Sequence, residues 1–376
     1  MSASAAAAPS RKRHRDMARF PFVSAGLAAL MTLLAAFSAP ALADPTLPRD
    51  KGLPIAVQAA ATVLSIASFD ENAGKFRATV DLRLRWADSR LASSQDGSGT
   101  PETLRGSAAE ARMKEIWTPP VRIANQVGAA ERSEYGLKVY PTGQAELLHR
   151  VTADFTVDVN VERFPFDRQK LAIEIAADGL TTAEMILRFD QSDIDFSRPS
   201  VHAELGGWTI GLIDLKSAPQ PGWYNGTHAQ VVASLDIERK LGLVVASIFI
   251  PLLASLLIPQ LAIWLNTMED GVFQVDTYEM VNIIIGGLFA IIALNFTVYS
   301  SYTVLSVGDN TVNRLFALNY IGLASALFVN VVFSRFNVVA RLFGPYAQEQ
   351  AYTAIMWAIP TLIFVLAVSF LFAAYV

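Results

Sequence analysis

The feature that most constrains the fold is a series of four long apolar stretches in the last part of the chain. None of them contains a charged residue, and they run from Leu241 to Met268, Met280 to Gly308, Leu315 to Ser334 and Ala351 to Val376. Each has about the 20 residues that an α-helix needs to cross a hydrocarbon core of about 30 Å. The sequence therefore predicts four membrane-spanning helices, at about residues 241–266, 278–302, 313–334 and 351–376.

The preceding part, residues 44–240, contains most of the charge and has the alternation of β-structure. In FRATVDLRLRW, Phe76 to Trp86, apolar residues recur at every second position, which predicts a half-buried strand. Turn signals such as Pro221-Gly222 separate further runs of this kind. We expect an antiparallel β-sandwich of about ten strands, followed by a four-helix transmembrane bundle.

Residues 1–43 predict a secretory signal peptide. A basic run, Arg11 to Arg15, precedes an apolar stretch that ends in Ala-Leu-Ala at Ala41 to Ala43. The alternative is a permanent membrane anchor, which fits the small-residue end less well. Export places the sandwich in the periplasm, and an even number of crossings returns the C-terminus to the same side. The third connection is then cytoplasmic, and its Arg335 and Arg341 agree with the positive-inside rule.

The composition and the motifs exclude several classes of function. The chain contains no cysteine, so no disulfide can stabilise the exported domain. The sequence has no nucleotide-binding loop and no nucleophile elbow, and its histidines lack the spacing of metal ligands. We therefore expect no enzymatic activity, no cofactor and no nucleic-acid partner.

Several short motifs follow one another in a fixed order. They are WADSRL at Trp86 to Leu91, IWTPPVRIAN at Ile116 to Asn125, FPFD at Phe164 to Asp167, Arg239, and Pro251 inside the first apolar stretch. In these motifs and in its layout, the chain resembles the pentameric ligand-gated ion channels, the Cys-loop receptor superfamily. The resemblance covers nearly all of residues 44–376, and it implies a homopentamer in a lipid bilayer.

The two cysteines that close the loop around FPFD in this family would fall at Val157 and Leu171. In lacking these cysteines and in its short third connection, the chain is similar to the bacterial members of the family. This similarity implies that the protein lies in a bacterial inner membrane. The loop must then be held by packing of Phe164 and Phe166 and by hydrogen bonds of Asp167.

The resemblance also implies that FPFD lies at the junction between the sandwich and the helices and transmits movement to the pore. The coupling residues would be Phe164, Pro165, Phe166, Asp167 and Arg239. An arginine buried at such a junction needs an acidic partner. We expect Asp167, or an acid of the first strand pair, to be that partner.

The resemblance places the second helix around the pore. Steps of three or four residues from Glu279 define one stripe along this helix, which contains Asn282, Gly286, Phe289, Ala293, Phe296 and Ser300. Five copies of Glu279 would form a carboxylate ring that attracts cations, with Asn282 and Gly286 above it. The alternative is that Glu279 is an ordinary acid of a first helical turn.

Phe289, with Ala293 and Phe296 above it, is the candidate gate. A narrow ring of five phenylalanine side chains excludes water. The alternative turns the helix by about one residue, so that Phe289 packs against protein and Leu288 or Ile292 faces the pore.

In this family agonists bind between subunits, in a box of aromatic side chains. Spacing from the matched motifs places three of these aromatic positions at Asp81, Ala124 and Asp178, none of which is aromatic. Only the region of a further binding loop supplies aromatic rings, at Trp223 and Tyr224. A cation–π cage is therefore not expected. The two carboxylates could instead bind a divalent cation, pair with an amine or titrate, or they could be ordinary solvated acids.

The sequence thus predicts a cation-preferring ligand-gated channel that is opened by a small ligand, a divalent cation or a proton. The alternative is a membrane-anchored periplasmic sensor or binding protein that does not conduct. The stripe favours the channel, because a non-conducting anchor has no need to align Glu279, Asn282 and Gly286.

Overall fold

The computed structural model describes residues 46–48, 52–93, 99–269, 272–275 and 277–375, without the side chains of Trp223, Glu269 and Val272. The expected signal peptide, residues 1–43, lies outside these ranges. Residues Leu47–Val376 form one compact unit. A β-sandwich comes first in this unit, and four helices long and apolar enough to cross a membrane follow.

Two sheets form the sandwich. The first contains β1 (Ile55–Asp70), β2 (Lys75–Ala87), β3 (Glu102–Arg105), β5 (Gln126–Val139), β6 (Gln144–Thr156) and β8 (Met185–Arg188), in the order β3-β5-β6-β2-β1-β8. The second contains β4 (Val121–Ile123), β7 (Arg168–Ala177), β9 (Trp208–Ser217) and β12 (Gln230–Arg239), in the order β4-β7-β12-β9. A small hairpin pairs β10 (Gln220–Pro221) with β11 (Thr227–His228). Two short helices, α1 (Ser107–Glu115) and α2 (Gln191–Phe196), lie in the connections.

The expected sandwich is confirmed, and its core follows from the alternation seen in the sequence. Every second residue of β2, from Phe76 to Trp86, is buried between the sheets. The sandwich is not antiparallel throughout, because β8 pairs with β1 in parallel, with Ile55 opposite Met185. Between β7 and β8 the chain crosses from the second sheet to the edge of the first. The alternation of apolar residues predicts a strand but does not predict whether a short edge strand pairs in parallel or antiparallel.

The helical part contains α3 (Leu241–Trp264), α4 (Thr277–Ser301), α5 (Thr311–Arg335) and α7 (Pro345–Tyr375), with the short α6 (Val338–Phe343) before the last. A two-stranded turn, β13 (Met268–Glu269) and β14 (Val272–Phe273), connects α3 to α4. The last helix begins earlier than the expected residue 351. Its first turns contain Gln348 and Glu349, so hydropathy alone does not mark its start.

The position of α4 in the bundle is set by a close contact at Gly287. A Cβ atom on this glycine would lie 2.7 Å from Cγ2 of Ile258 in α3 and 3.0 Å from Cδ2 of Leu323 in α5. The buried residues of α4 follow the same side of the helix: Met280, Ile284, Gly287, Ile291 and Val298. The opposite side of α4 therefore faces away from the bundle of its own chain.

Candidate functional site

The stripe predicted to line the pore lies on the free side of α4. Glu279, Asn282, Gly286, Phe289, Ala293, Phe296 and Ser300 are all exposed. Phe289 is 69% exposed and Phe296 74%. The alternative pore residues, Leu288 at 39% and Ile292 at 46%, lie on the flank of this face and are less exposed. The assignment of these residues to a pore stays a prediction.

Glu279 is the only charged residue between Thr277 and Ser301. It lies in the first turn of α4, where the unpaired backbone N–H groups favour a negative charge. Its side chain is exposed on the same side of the helix as Asn282. The arrangement can place a carboxylate that has no ion pair among the described residues at one end of the free face of α4.

A buried ion cluster lies where the sandwich meets the helices. The Arg239 guanidinium donates from Nε to Asp167 Oδ1 at 2.7 Å and from Nη2 to Asp167 Oδ2 at 2.9 Å. It also donates from Nη1 and Nη2 to the Glu71 carboxylate, at 3.1 and 2.5 Å. The side chains of Arg239 and Asp167 are only 4% and 2% exposed. The expectation of an acidic partner for Arg239 is confirmed. Both expected kinds of partner pair with it: Asp167, and an acid of the first strand pair, since Glu71 lies in the turn between β1 and β2.

The charge of Arg239 is fixed by these contacts. Burial lowers its pKa, but hydrogen bonds and Coulomb attraction from Asp167 and then Glu71 outweigh burial and raise the pKa above its ordinary value. The guanidinium also lies 4.2 Å from the ring centre of Trp208 and 4.8 Å from that of Phe164. Arg239 therefore stays a cation and joins β12, the FPFD loop and the β1–β2 turn.

The FPFD loop is held without a disulfide, as expected. Phe164 is fully buried, 6.1 Å from Phe249 of α3 and 6.3 Å from Tyr302, measured between ring centres. Phe166 makes an edge contact with Tyr375 at the end of α7, at 5.5 Å. The Phe164–Pro165 peptide bond is cis. These contacts confirm the expected packing, whereas a role of the loop in coupling stays a prediction.

Gln169, which closes this loop, was not among the residues predicted from the sequence. Its Nε2 donates to the carbonyl of Asn160 at 2.6 Å and to Asp167 Oδ2 at 2.7 Å, and its Oε1 accepts from the backbone N–H of Asn160 at 3.1 Å. Gln169 is buried and shares the inward phase of β7 with Leu171 and Ile173. A polar residue at an inward strand position is the signal that would have indicated it.

A second contact between the sandwich and the helices was also missed. Asn72, in the β1–β2 turn, donates from Nδ2 to the carbonyl of Ser301 at 3.3 Å. Its Oδ1 accepts from the backbone N–H of Val304 at 3.1 Å. The same turn that supplies Glu71 thus contacts the last residue of α4, the helix that carries the stripe, and the connection that follows it.

The residues predicted to bind a ligand lie on different elements of the sandwich. Asp81, on β2, accepts two hydrogen bonds from Arg150, both at 2.7 Å. Asp178 follows β7 in the other sheet and lies 3.7 Å from Arg122. Tyr224 is almost entirely exposed at the end of the β10–β11 hairpin, and the side chain of its neighbour Trp223 is not described. The assignment of these residues to a ligand site between subunits stays a prediction.

A metal site in one chain gains no support from the structure. In the part of the chain that is described, no group of three or more His, Asp or Glu side chains is arranged to hold a metal ion. Asp81 and Asp178 both have an arginine nearby. Each carboxylate is thus partly neutralised before any cation arrives.

His149, which the sequence did not single out, lies beside Asp81. Its ring stacks on Tyr135 at 4.3 Å, and its Nε2 is 2.8 Å from Ser133 Oγ. Burial lowers the pKa of His149 to about 4, although the nearby Asp81 acts in the opposite direction. The imidazole is therefore neutral at pH 7.

The protein-family model of the neurotransmitter-gated ion-channel ligand binding domain matches residues 41–241 of this chain. The proton-gated ion channel of Gloeobacter violaceus is 25% identical over 246 residues, which cover 65% of this chain and 64% of the relative. The human glycine receptor subunit beta is 23% identical over 270 residues, 69% of this chain and 51% of the relative. The chain thus spans less than two thirds of the length of either relative.

Proposed function

The chain is a multi-pass membrane protein of the pentameric ligand-gated ion-channel superfamily, and we propose that it forms a homopentameric, cation-preferring channel. Its β-sandwich faces the periplasm of a bacterial inner membrane, and a ligand or ion acting on the sandwich opens the pore. The relatives bear the names of channels and receptors, which favours conduction over catalysis.

The observation that supports this proposal best is the free face of α4. In a spanning helix, Glu279 and Asn282 are costly against lipid but not against water. The buried side of α4, fixed at Gly287, directs both residues away from the bundle of their own chain. A ring of five chains around a water-filled axis would put this face in water.

Cation preference rests on Glu279. Five carboxylates at one mouth of the pore would attract cations and repel anions. Above this ring, Gly286 has no atom within 4 Å of the place where a Cβ would lie, so the pore would be wide there. Phe289 and Phe296 would narrow it again with apolar rings and form the gate.

The proposed path of coupling runs through the junction. The cluster of Arg239, Asp167 and Glu71 joins the FPFD loop to the β1–β2 turn, and Asn72 joins that turn to the end of α4. A displacement of the sandwich would therefore move the last residue of the pore helix, Ser301. Phe166 would add a second route through the end of α7.

The agonist site is proposed between subunits, with Asp81 of one chain near Asp178, Trp223 and Tyr224 of the next. Protons are the first agonist to test, since one relative bears the name of a proton-gated channel. Amines and divalent cations come next, because both would pair with carboxylates.

The test is a current measurement on the purified full-length protein in a planar bilayer, during a ramp of pH and then with amines and divalent cations. The reversal potential in a salt gradient should indicate cation selectivity. Glu279→Gln should move the reversal potential toward zero. Glu349→Gln, an acid in the first turns of α7 outside the stripe, should leave it unchanged. Anion selectivity of the wild type would refute the carboxylate ring, and a pentamer that passes no current under any condition would favour the sensor.

A further inference from the structure

A cavity of about 520 Å³ opens on the face of the six-stranded sheet that is turned away from the core. Its floor is a row of directly paired residues on four neighbouring strands: Arg188 on β8, Gln58 on β1, Arg85 on β2 and Glu146 on β6. Small and aromatic residues form the remaining walls, among them Ala56, Ala87, Tyr140 and Phe189.

The cavity is separate from the sites described above. Strand β2 begins at Lys75, beside the turn that contacts the helices, and Arg85 lies near its other end. At about 3.3 Å per residue, the cavity is roughly 30 Å along the strand from that turn. None of the residues assigned to the pore, the junction or the agonist site lines it.

The acids of the cavity already have donors. Asp190 accepts from Gln58 Nε2 at 2.8 Å and from Arg85 Nη2 at 2.9 Å, and it also caps α2 through the backbone N–H of Asp193 at 3.0 Å. Glu146 accepts from the Tyr140 hydroxyl at 3.3 Å. Both oxygens of Asp190 are therefore paired, and one oxygen of Glu146 accepts a long hydrogen bond.

Two arginines that line the cavity have donor groups without a partner among the described residues. Arg188 is exposed and makes no ion pair or side-chain hydrogen bond with the described residues. Arg85 Nε is a buried N–H group that has no partner among the described residues. Lys138 adds a further cation, 4.8 Å from the ring centre of Tyr140. Buried N–H groups are rarely left unpaired in folded proteins, so these donors indicate a ligand with acceptor atoms.

We propose that this cavity binds a small organic carboxylate. The Arg188 guanidinium matches the two oxygens of a carboxylate in a bidentate pair. The Nε–H group of Arg85 supplies a further donor. Tyr140, Phe189 and the alanines contact the apolar body of the acid. The volume lies within the range of about 300–1,000 Å³ that is typical of small-molecule sites.

The first experiment is isothermal titration calorimetry on the full-length protein in detergent, with three probes of equal shape. Benzoate is the anion, benzamide is neutral and benzylamine is a cation. Benzoate alone should bind. Equal binding of benzamide would overturn the proposal, because binding would then not depend on a negative charge. Binding of benzylamine instead of benzoate would overturn it too, because the cavity would then prefer a cation.

Variants locate the site. Arg188→Gln should weaken benzoate binding about ten-fold or more, since a charge-assisted hydrogen bond is lost, and Ala56→Leu should abolish binding by filling the cavity. Arg132→Gln, which removes an exposed arginine of the same sheet, should bind as the wild type does. Unchanged affinity in both Arg188→Gln and Ala56→Leu would refute the site. Binding is measured without current, so the result does not depend on the proposed channel activity.

Discussion

The buried cluster at the junction allows a quantitative prediction for Arg239→Gln. The substitution removes four hydrogen bonds, two to Asp167 and two to Glu71, and it leaves two carboxylates together without their cation. It also removes the contacts of the guanidinium with Trp208 and Phe164. We therefore expect a large loss of stability in the sandwich.

The magnitude follows from burial. Removal of one partner from a buried ion pair costs about 3–5 kcal/mol, and Arg239 and Asp167 are almost completely buried. In a domain of about 150–250 residues, 1 kcal/mol shifts the melting temperature by about 2–4 °C. The apparent melting temperature of Arg239→Gln should thus fall by about 6–20 °C.

The assay is thermal unfolding in detergent, followed by tryptophan fluorescence, to which Trp208 beside Arg239 contributes directly. Arg77→Gln is the matched control. Arg77 makes the same two-pronged contact with Asp154, at 2.7 and 3.1 Å, and lies 3.7 Å from a second acid, Glu131, but its side chain is 47% exposed. Its loss should have little effect, because water screens an exposed pair. Equal shifts in the two variants, or a wild-type melting temperature in Arg239→Gln, would refute the argument from burial.

Three further predictions concern other parts of the molecule. The pKa of His149 is lowered from 6.5 to about 4, so the unfolded chain binds more protons between these values and stability should decrease as the pH falls. Urea unfolding at pH 7 and pH 5 should show a loss of up to about 2 kcal/mol, and His149→Gln should reduce this loss whereas His202→Gln should not. Gly287→Ala should destabilise the bundle, because the added Cβ would clash with α3 and α5. Gly286→Ala should fold normally, because Gly286 lies on the free face of α4, and it should lower the single-channel conductance. Phe166→Ala should leave the melting temperature of the sandwich unchanged and weaken activation; wild-type currents would contradict its role in coupling.

The sequence predicts those features that depend on local periodicity. A spacing of three or four residues was enough to place Glu279 and Phe289 on one face of α4, and alternation was enough to bury one side of β2. The buried position of Gly287 was not predictable in the same way. It depends on Ile258 and Leu323, which belong to other helices.

Contacts between distant segments account for most of what was missed. Asn72 bonds to Ser301 across more than half of the described chain, and no pattern around either residue indicates a partner. Arg239 is different, because a cation at the boundary of an apolar stretch must have an acidic partner if it is buried. This need for a counter-charge, rather than spacing, led to the expectation that Asp167 or an acid of the first strand pair is its partner.

The way the FPFD loop is closed bears on how it would transmit movement. A disulfide between positions 157 and 171 would close the loop by itself, whatever the rest of the junction did. Here Gln169 joins the two sides of the loop, and the same Asp167 carboxylate that accepts from Gln169 also accepts from Arg239. A shift of β12 or of the β1–β2 turn would therefore disturb the closure of the loop directly. On this reasoning, loss of the cysteines does not weaken the link between sandwich and helices but makes loop closure depend on it.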